Sequence, residues 1–285
     1  MILKHSLSLT LTNVKIVFKV LIYCLIIFIV GAAVFVTISE PVLDAFNASF
    51  DLNEIFAHFE EVMKGDGGVF ERIIASVDHF AETHPDELVK SIVFSIVLII
   101  VVKFFFALIV CPVAYVINHK MSTRFEEDFI HSIVSTGWKS VGVAGVYTLI
   151  SAPIDILVVA GAFFLGRWLS LIIGVFGVMF AISVGLLLIT LRLAVMGQWV
   201  AVFINENLKF SLQFKRGFRA GFKCLPKVFP VMLALVVVTY GIIMTTAIPT
   251  FLIIPVVCVP FALVGFTAIH LVAYYQENDK NYYSE

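Results

Sequence analysis

Six apolar runs, each near the length of a bilayer crossing, constrain this chain more than any other feature. They cover about 16–38, 91–117, 141–165, 168–196, 228–248 and 250–274. About 20 consecutive apolar residues span the hydrocarbon core as a helix, so each run reads as a transmembrane helix. The implied fold class is all-α: an integral membrane protein of six spans. Only 14% of the residues are charged and 61% are hydrophobic. A soluble domain carries about 25% charged residues. The first run lacks a small-residue cleavage site before a polar mature chain, so it reads as a span and not as a signal peptide.

Basic residues set the expected orientation. With the N-terminus in the cytosol, the inner segments hold 13 Lys and Arg; the outer ones hold only Lys64, Arg72, Lys90 and Arg167. Cytoplasmic loops carry the excess of Lys and Arg. Both termini are then cytosolic, and the location is the cell membrane, crossed many times.

The whole chain, 1–285, reads as a single membrane domain with one long outer insertion, 40–90. That insertion carries two apolar helical faces broken by Gly65-Asp66-Gly67-Gly68, a helical hairpin pattern. Pro85 suits the first turn of the helix that follows. Two cytosolic segments of about 20 residues are amphipathic. In the first, Phe125, Phe129, Ile133, Val134 and Trp138 share a stripe. In the second, Phe210, Phe214, Phe218 and Phe222 recur every four residues, beside Lys209, Lys215, Arg216, Arg219 and Lys223. A basic amphipathic helix next to a membrane lies in the interface; docking of a cytosolic partner is the other reading. Short outer connections are expected at Gly166-Arg167-Trp168 and at Pro249. Trp138, Tyr274 and Tyr275 stand where interfacial aromatics belong. The polar tail from Glu277 reads as frayed.

The two halves share a pattern. Val113-Ala114-Tyr115-Val116-Ile117-Asn118 and Val200-Ala201-Val202-Phe203-Ile204-Asn205 each close an apolar run. Each is followed by an amphipathic segment ending in Gly-aromatic-Lys, at Gly137-Trp138-Lys139 and Gly221-Phe222-Lys223. The copies, 91–165 and 168–248, would form a parallel internal repeat. Such repeats occur in transporters, with the substrate between them, and also in proteins that only pack symmetrically. The pattern over about 91–275 resembles a loose group of bacterial six-span membrane proteins, which includes the membrane domain fused to glycerophosphoryl diester phosphodiesterases. The resemblance implies a six-span bundle and no settled activity; no phosphodiesterase domain is present.

Chemistry is sparse. The chain has no HExxH, GxSxG, P-loop or GxGxxG motif, so no catalytic residue is assigned and an enzyme is the least favoured class. The seven histidines have no ligand spacing, and the four cysteines lie in or beside apolar runs, so neither metal nor cofactor is expected. A net charge of −1 gives no reason to expect nucleic acid. What stands out is charge inside the spans: Lys103, Asp155 and Arg192, with His270 near an inner end. They are either buried pairs and snorkelling side chains, or a polar intramembrane pocket. Counted from the ends of the apolar runs, Lys103 and Asp155 differ in depth by about 10 Å, which argues for a shared pocket more than for direct contact. The function that fits is transport or lipid handling at a bacterial cytoplasmic membrane. The alternative is a non-catalytic scaffold or subunit. Membrane lipids are the expected partners, and the cytosolic helices are the place for a protein partner.

Overall fold

A computed structural model of the chain describes residues 2–49, 82–83, 85–125, 127–246 and 253–283. Most of the 40–90 insertion and the connection at Pro249 lie outside the described residues. Among those described, 92% are helical and none is in a strand. The helices are α1 (Ile2–Thr12), α2 (Val14–Ser49), α3 (Pro85–Thr123), α4 (Phe129–Ile173), α5 (Val175–Met196), α6 (Gln198–Asn205), α7 (Phe210–Thr246) and α8 (Ile253–Glu277). Six of these stretches are long and apolar enough to cross a membrane, with α5 and α6 serving as one. The protein is an all-α polytopic membrane protein. Pro85 does open α3, where its missing N–H costs nothing.

Several boundaries differ from those the apolar runs suggest. The helix that carries the first span runs on past residue 38 to Ser49, while its stretch apolar enough to cross is Val14–Val34. The third does not begin at 141 or end at 165. It is part of α4, a single helix of 45 residues that takes in the first amphipathic segment and Gly166-Arg167-Trp168. The chain turns instead at Gly174, with φ +60, a conformation glycine adopts without a Cβ clash. The second amphipathic segment likewise opens α7, where only Pro226 and Pro230 offer a bend before the span. A helix lying flat in the interface needs a break before its span. Neither Gly137 nor Gly221 makes one, because a lone glycine weakens a helix by only about 1 kcal/mol.

The contacts divide the chain into two compact units. One comprises Ile29–Val102 and Ile156–Gly185. Within it, the ends of α4 and α5 meet through small residues: a Cβ on Gly166 would lie 3.4 Å from that of Ala181, and one on Gly185 would lie 3.4 Å from that of Ala162. Close packing of small side chains is the usual way apolar helices associate in lipid, where burial itself gives no drive.

The other unit comprises Met1–Phe28, Lys103–Asp155 and Leu186–Glu285. Here α8 packs on α1, α6 and α7, and α7 packs on α6. Its core includes Leu9, Val20, Val113, Ile117, Met121, Ile269 and Leu271, all at 0–1% exposure. The N-terminal α1 carries no long apolar run, yet it buries Ile2, Ser6, Leu9 and Thr10. Lys120 fixes its end: Nζ donates to the Thr12 carbonyl (3.2 Å) and to Asn13 Oδ1 (3.4 Å). A cation belongs at a helix C-terminus, where the last carbonyls lack partners. In the loop between α3 and α4, Lys19 hydrogen-bonds Asp128 at 3.2 Å and holds that carboxyl below its usual range.

Two expectations about the end of the chain fail for identifiable reasons. Tyr274 and Tyr275 are core residues, not interfacial anchors. Tyr274 donates to Glu206 Oε1 (2.8 Å) and Tyr275 to Asn118 Oδ1 (3.0 Å), so each phenol is satisfied inside. The tail through Tyr283 is tied down rather than frayed. The Tyr283 N–H donates to the Met121 carbonyl (2.9 Å), Tyr282 Oη bonds His5 (2.6 Å), and the Arg124 guanidinium stacks over the Tyr283 ring at 4.0 Å.

Candidate functional site

The site is built on α4. Tyr147, Ser151 and Asp155 recur every four residues and so share one helical face. Asp155 accepts a hydrogen bond from Lys103 of α3 through Oδ2. Its other oxygen, Oδ1, lies 2.7 Å from Nε of Arg192 on α5, an ion contact. Arg192 Nη1 donates to the Tyr147 hydroxyl at 2.5 Å. The Tyr147 ring flanks both cations, with Lys103 Nζ at 5.8 Å and Arg192 Cζ at 5.6 Å from its centroid. The side chains of Lys103, Asp155 and Arg192 are 14%, 23% and 9% exposed, so all three sit largely within the protein.

The structure thus brings Lys103, Asp155 and Arg192 together, and the two expected neighbours touch. The depth difference disappears because the apolar runs were the wrong ruler. From Lys90 to Lys103 is about 20 Å of helix, and from Asp155 to Arg167 is about 18 Å. Counted from these two basic residues, the charges lie level. Tyr147 was not singled out in the sequence, although its spacing from Asp155 on an amphipathic face could have pointed to it. Two further polar side chains on this face, Thr148 and Ser151, are buried, and neither hydroxyl has a partner. Such groups are costly to bury unbonded. Pro153 adds to the polarity, since it cannot donate to the carbonyl of Leu149.

His270 is elsewhere. Its Nδ1 lies 3.1 Å from Gln198 Nε2, and its ring is pressed against Gly197, where a Cβ would sit 2.1 Å from Nε2. That is a packed core pair.

The second set of sequence-derived residues lies on α7 and just before it. Lys209, Lys215, Arg216, Arg219 and Lys223 are all exposed. Two of them are engaged: Arg216 Nε lies 2.9 Å from Glu206, and Lys223 joins Lys227 on Glu277 at 3.0 and 2.7 Å. The four phenylalanines do not act alike. A four-residue repeat drifts about 40° per step on a helix of 3.6 residues per turn. Phe210 and Phe214 pack edge-to-face on Phe203, and Phe214 and Phe218 on buried Trp199, with centroids 4.6–5.2 Å apart. Phe222 has rotated out and is 64% exposed.

The first segment is turned the other way. Its buried stripe is Phe129, Ser132, Thr136 and Ser140, and the three hydroxyls bond within the helix. Its apolar residues Ile130, Val134 and Trp138 face out, Trp138 at 91% exposure. An outward apolar stripe beside Lys139 fits a lipid interface. Replacing Lys215 and Arg219 by Gln is expected to weaken association with anionic lipid by about 1 kcal/mol for each charge. Co-purified lipid, compared at low and high salt, checks this; an unchanged lipid content would count against it.

Among the described residues, no group of three or more His, Cys, Asp or Glu is placed to hold a metal ion. No family model, curated protein or solved structure matches the chain.

Proposed function

We propose that this protein transports a solute or handles lipid at a bacterial cytoplasmic membrane, with both termini cytosolic. The observation that carries the reading is the Lys103–Asp155–Arg192 cluster held between apolar helices. A charge at the bilayer centre costs about 2.5–3.5 kcal/mol on insertion scales, so intramembrane ions usually mark a substrate path. Catalysis is no part of the proposal.

The test is reconstitution into liposomes and measurement of head-group-labelled lipid crossing the bilayer. Asp155→Asn should slow movement at least about tenfold, roughly what one charge-assisted hydrogen bond supplies. Movement at the wild-type rate in both leaflets would remove the reading. Orientation is checked separately with a membrane-impermeant thiol probe. A cysteine replacing Ser76 should react in intact cells, and one replacing Ser211 only after lysis; the reverse order would invert the topology.

A scaffold role is the second reading. It is favoured by exposed Lys209, just before α7, and exposed Lys215 and Arg219 on it, together with exposed Phe222. A scaffold would tolerate Asp155→Asn and fail when these basic residues are replaced.

A further inference from the structure

We infer that the Lys103–Asp155–Arg192–Tyr147 cluster binds a singly charged oxyanion of the phosphodiester type, carried on a lipid head group or free in solution. The inference rests on the proposed function above and names the ligand class for the same site.

Charge is the first argument. Two cations share one carboxylate, which leaves the cluster with one positive charge in excess. Among the described residues, no second acid contacts the cluster. Within the six spans the only acidic residues are Asp155 and Glu277, and Glu277 is held by Lys223 and Lys227. An uncompensated buried cation draws in a counter-ion.

Hydrogen-bond supply is the second argument. An ammonium brings three N–H donors, a guanidinium five and a phenol one, against the two oxygens of a carboxylate. Because the Tyr147 hydroxyl accepts from Arg192, its own O–H is left to donate elsewhere. Ser151 and Thr148 add two buried hydroxyls that have no partner. Donors are in surplus, so the missing component is an acceptor. A phosphodiester offers two anionic oxygens to a guanidinium fork and a single charge to match the excess.

The full-length protein, stripped of anionic lipid, is placed in phosphatidylcholine nanodiscs with graded phosphatidylglycerol, and retained lipid is counted by native mass spectrometry. In parallel, inorganic phosphate is titrated calorimetrically into lipid-free protein in detergent. Lys103→Met leaves a neutral Asp155–Arg192 pair and should fold normally. It should retain about tenfold less phosphatidylglycerol, the loss expected for one charge-assisted contact. Tyr147→Phe, which removes one donor and no charge, should retain about threefold less, within the range of a neutral hydrogen bond. Asp155→Asn should retain more than wild type.

A purely structural cluster would move stability in these variants without sorting retention by charge. Folded Lys103→Met protein that retains phosphatidylglycerol like wild type overturns the inference. Phosphate binding that shows the same charge order assigns the free ion; charge-ordered lipid retention without phosphate binding assigns the head group. Charge-ordered retention without lipid movement keeps the site and removes lipid handling from the proposed function. Movement without charge-ordered retention does the opposite.

Discussion

Replacing Asp155 by leucine is expected to destabilise the folded protein by about 3–5 kcal/mol, the usual cost of leaving a buried charge without its partner. The cost falls on two residues. Lys103 loses the carboxylate it donates to, and Arg192 loses its ion contact while its side chain remains 91% buried (100 − 9). Lys103→Met should behave differently. It removes one of two cations and leaves a neutral pair, so its stability should stay close to wild type. Adding Lys103→Met and Arg192→Met to Asp155→Leu should restore most of the loss, since an apolar replacement of a whole buried ion cluster is often neutral or better. Thermal unfolding in detergent, followed by the monodisperse fraction on size exclusion, measures all three. Asp155→Leu protein as stable as wild type would mean that both cations already reach water. The deficit should also shrink in phosphatidylglycerol, if an anion can stand in for the lost carboxylate.

The pairing of these charges was half legible in the sequence. Identity was plain, because an ionisable residue inside an apolar run is conspicuous; relative depth was misjudged. Contact was not plain, because it depends on where each helix begins, and apolar runs do not mark helix ends in this chain. Helix α4 continues 12 residues before the run at 141 and 8 beyond the one ending at 165 (141 − 129, 173 − 165). Nothing in Gly137-Trp138-Lys139 or Gly166-Arg167-Trp168 stops a helix. The turn lies at Gly174, inside a stretch where hydropathy gives no signal. The fate of polar side chains was the other gap. Ser132, Thr136 and Ser140 face inward while Val134 and Trp138 face out, the inverse of a water-soluble helix. In lipid the outward face is the apolar one, and hydroxyls bonded within their own helix can be packed inside. Likewise α1 and the tail are too short and polar to register as packed elements. They are held by particular bonds, Lys120 to Thr12 and His5 to Tyr282, that no periodicity announces.

The matched Gly-aromatic-Lys motifs should respond in opposite directions to one methyl group. In α7, Gly217 and Gly221 are four residues apart and both face the chain around the α5–α6 junction. A Cβ on Gly221 would lie 2.2 Å from the carbonyl oxygen of Val195 and 3.0 Å from its Cα. A Cβ on Gly217 would lie 2.8 Å from the buried Trp199 ring and 3.1 Å from its Cα. These neighbours are backbone or a filled core, so nothing can swing aside. The two helices touch at these glycines, the small-xxx-small contact that lets helices in lipid approach closely. Gly221→Ala should therefore cost about 3 kcal/mol, the upper part of the range for overpacking a tight interface. Gly137 is the counterpart in α4, and a Cβ there meets nothing within 4 Å. With no clash to oppose it, Gly137→Ala gains helix propensity, up to about 1 kcal/mol. Thermal unfolding of the two variants side by side reads the difference, with Gly221→Ala falling and Gly137→Ala rising. Equal destabilisation of both would mean that the two motifs are packed alike and that Gly137 lies against a neighbour after all.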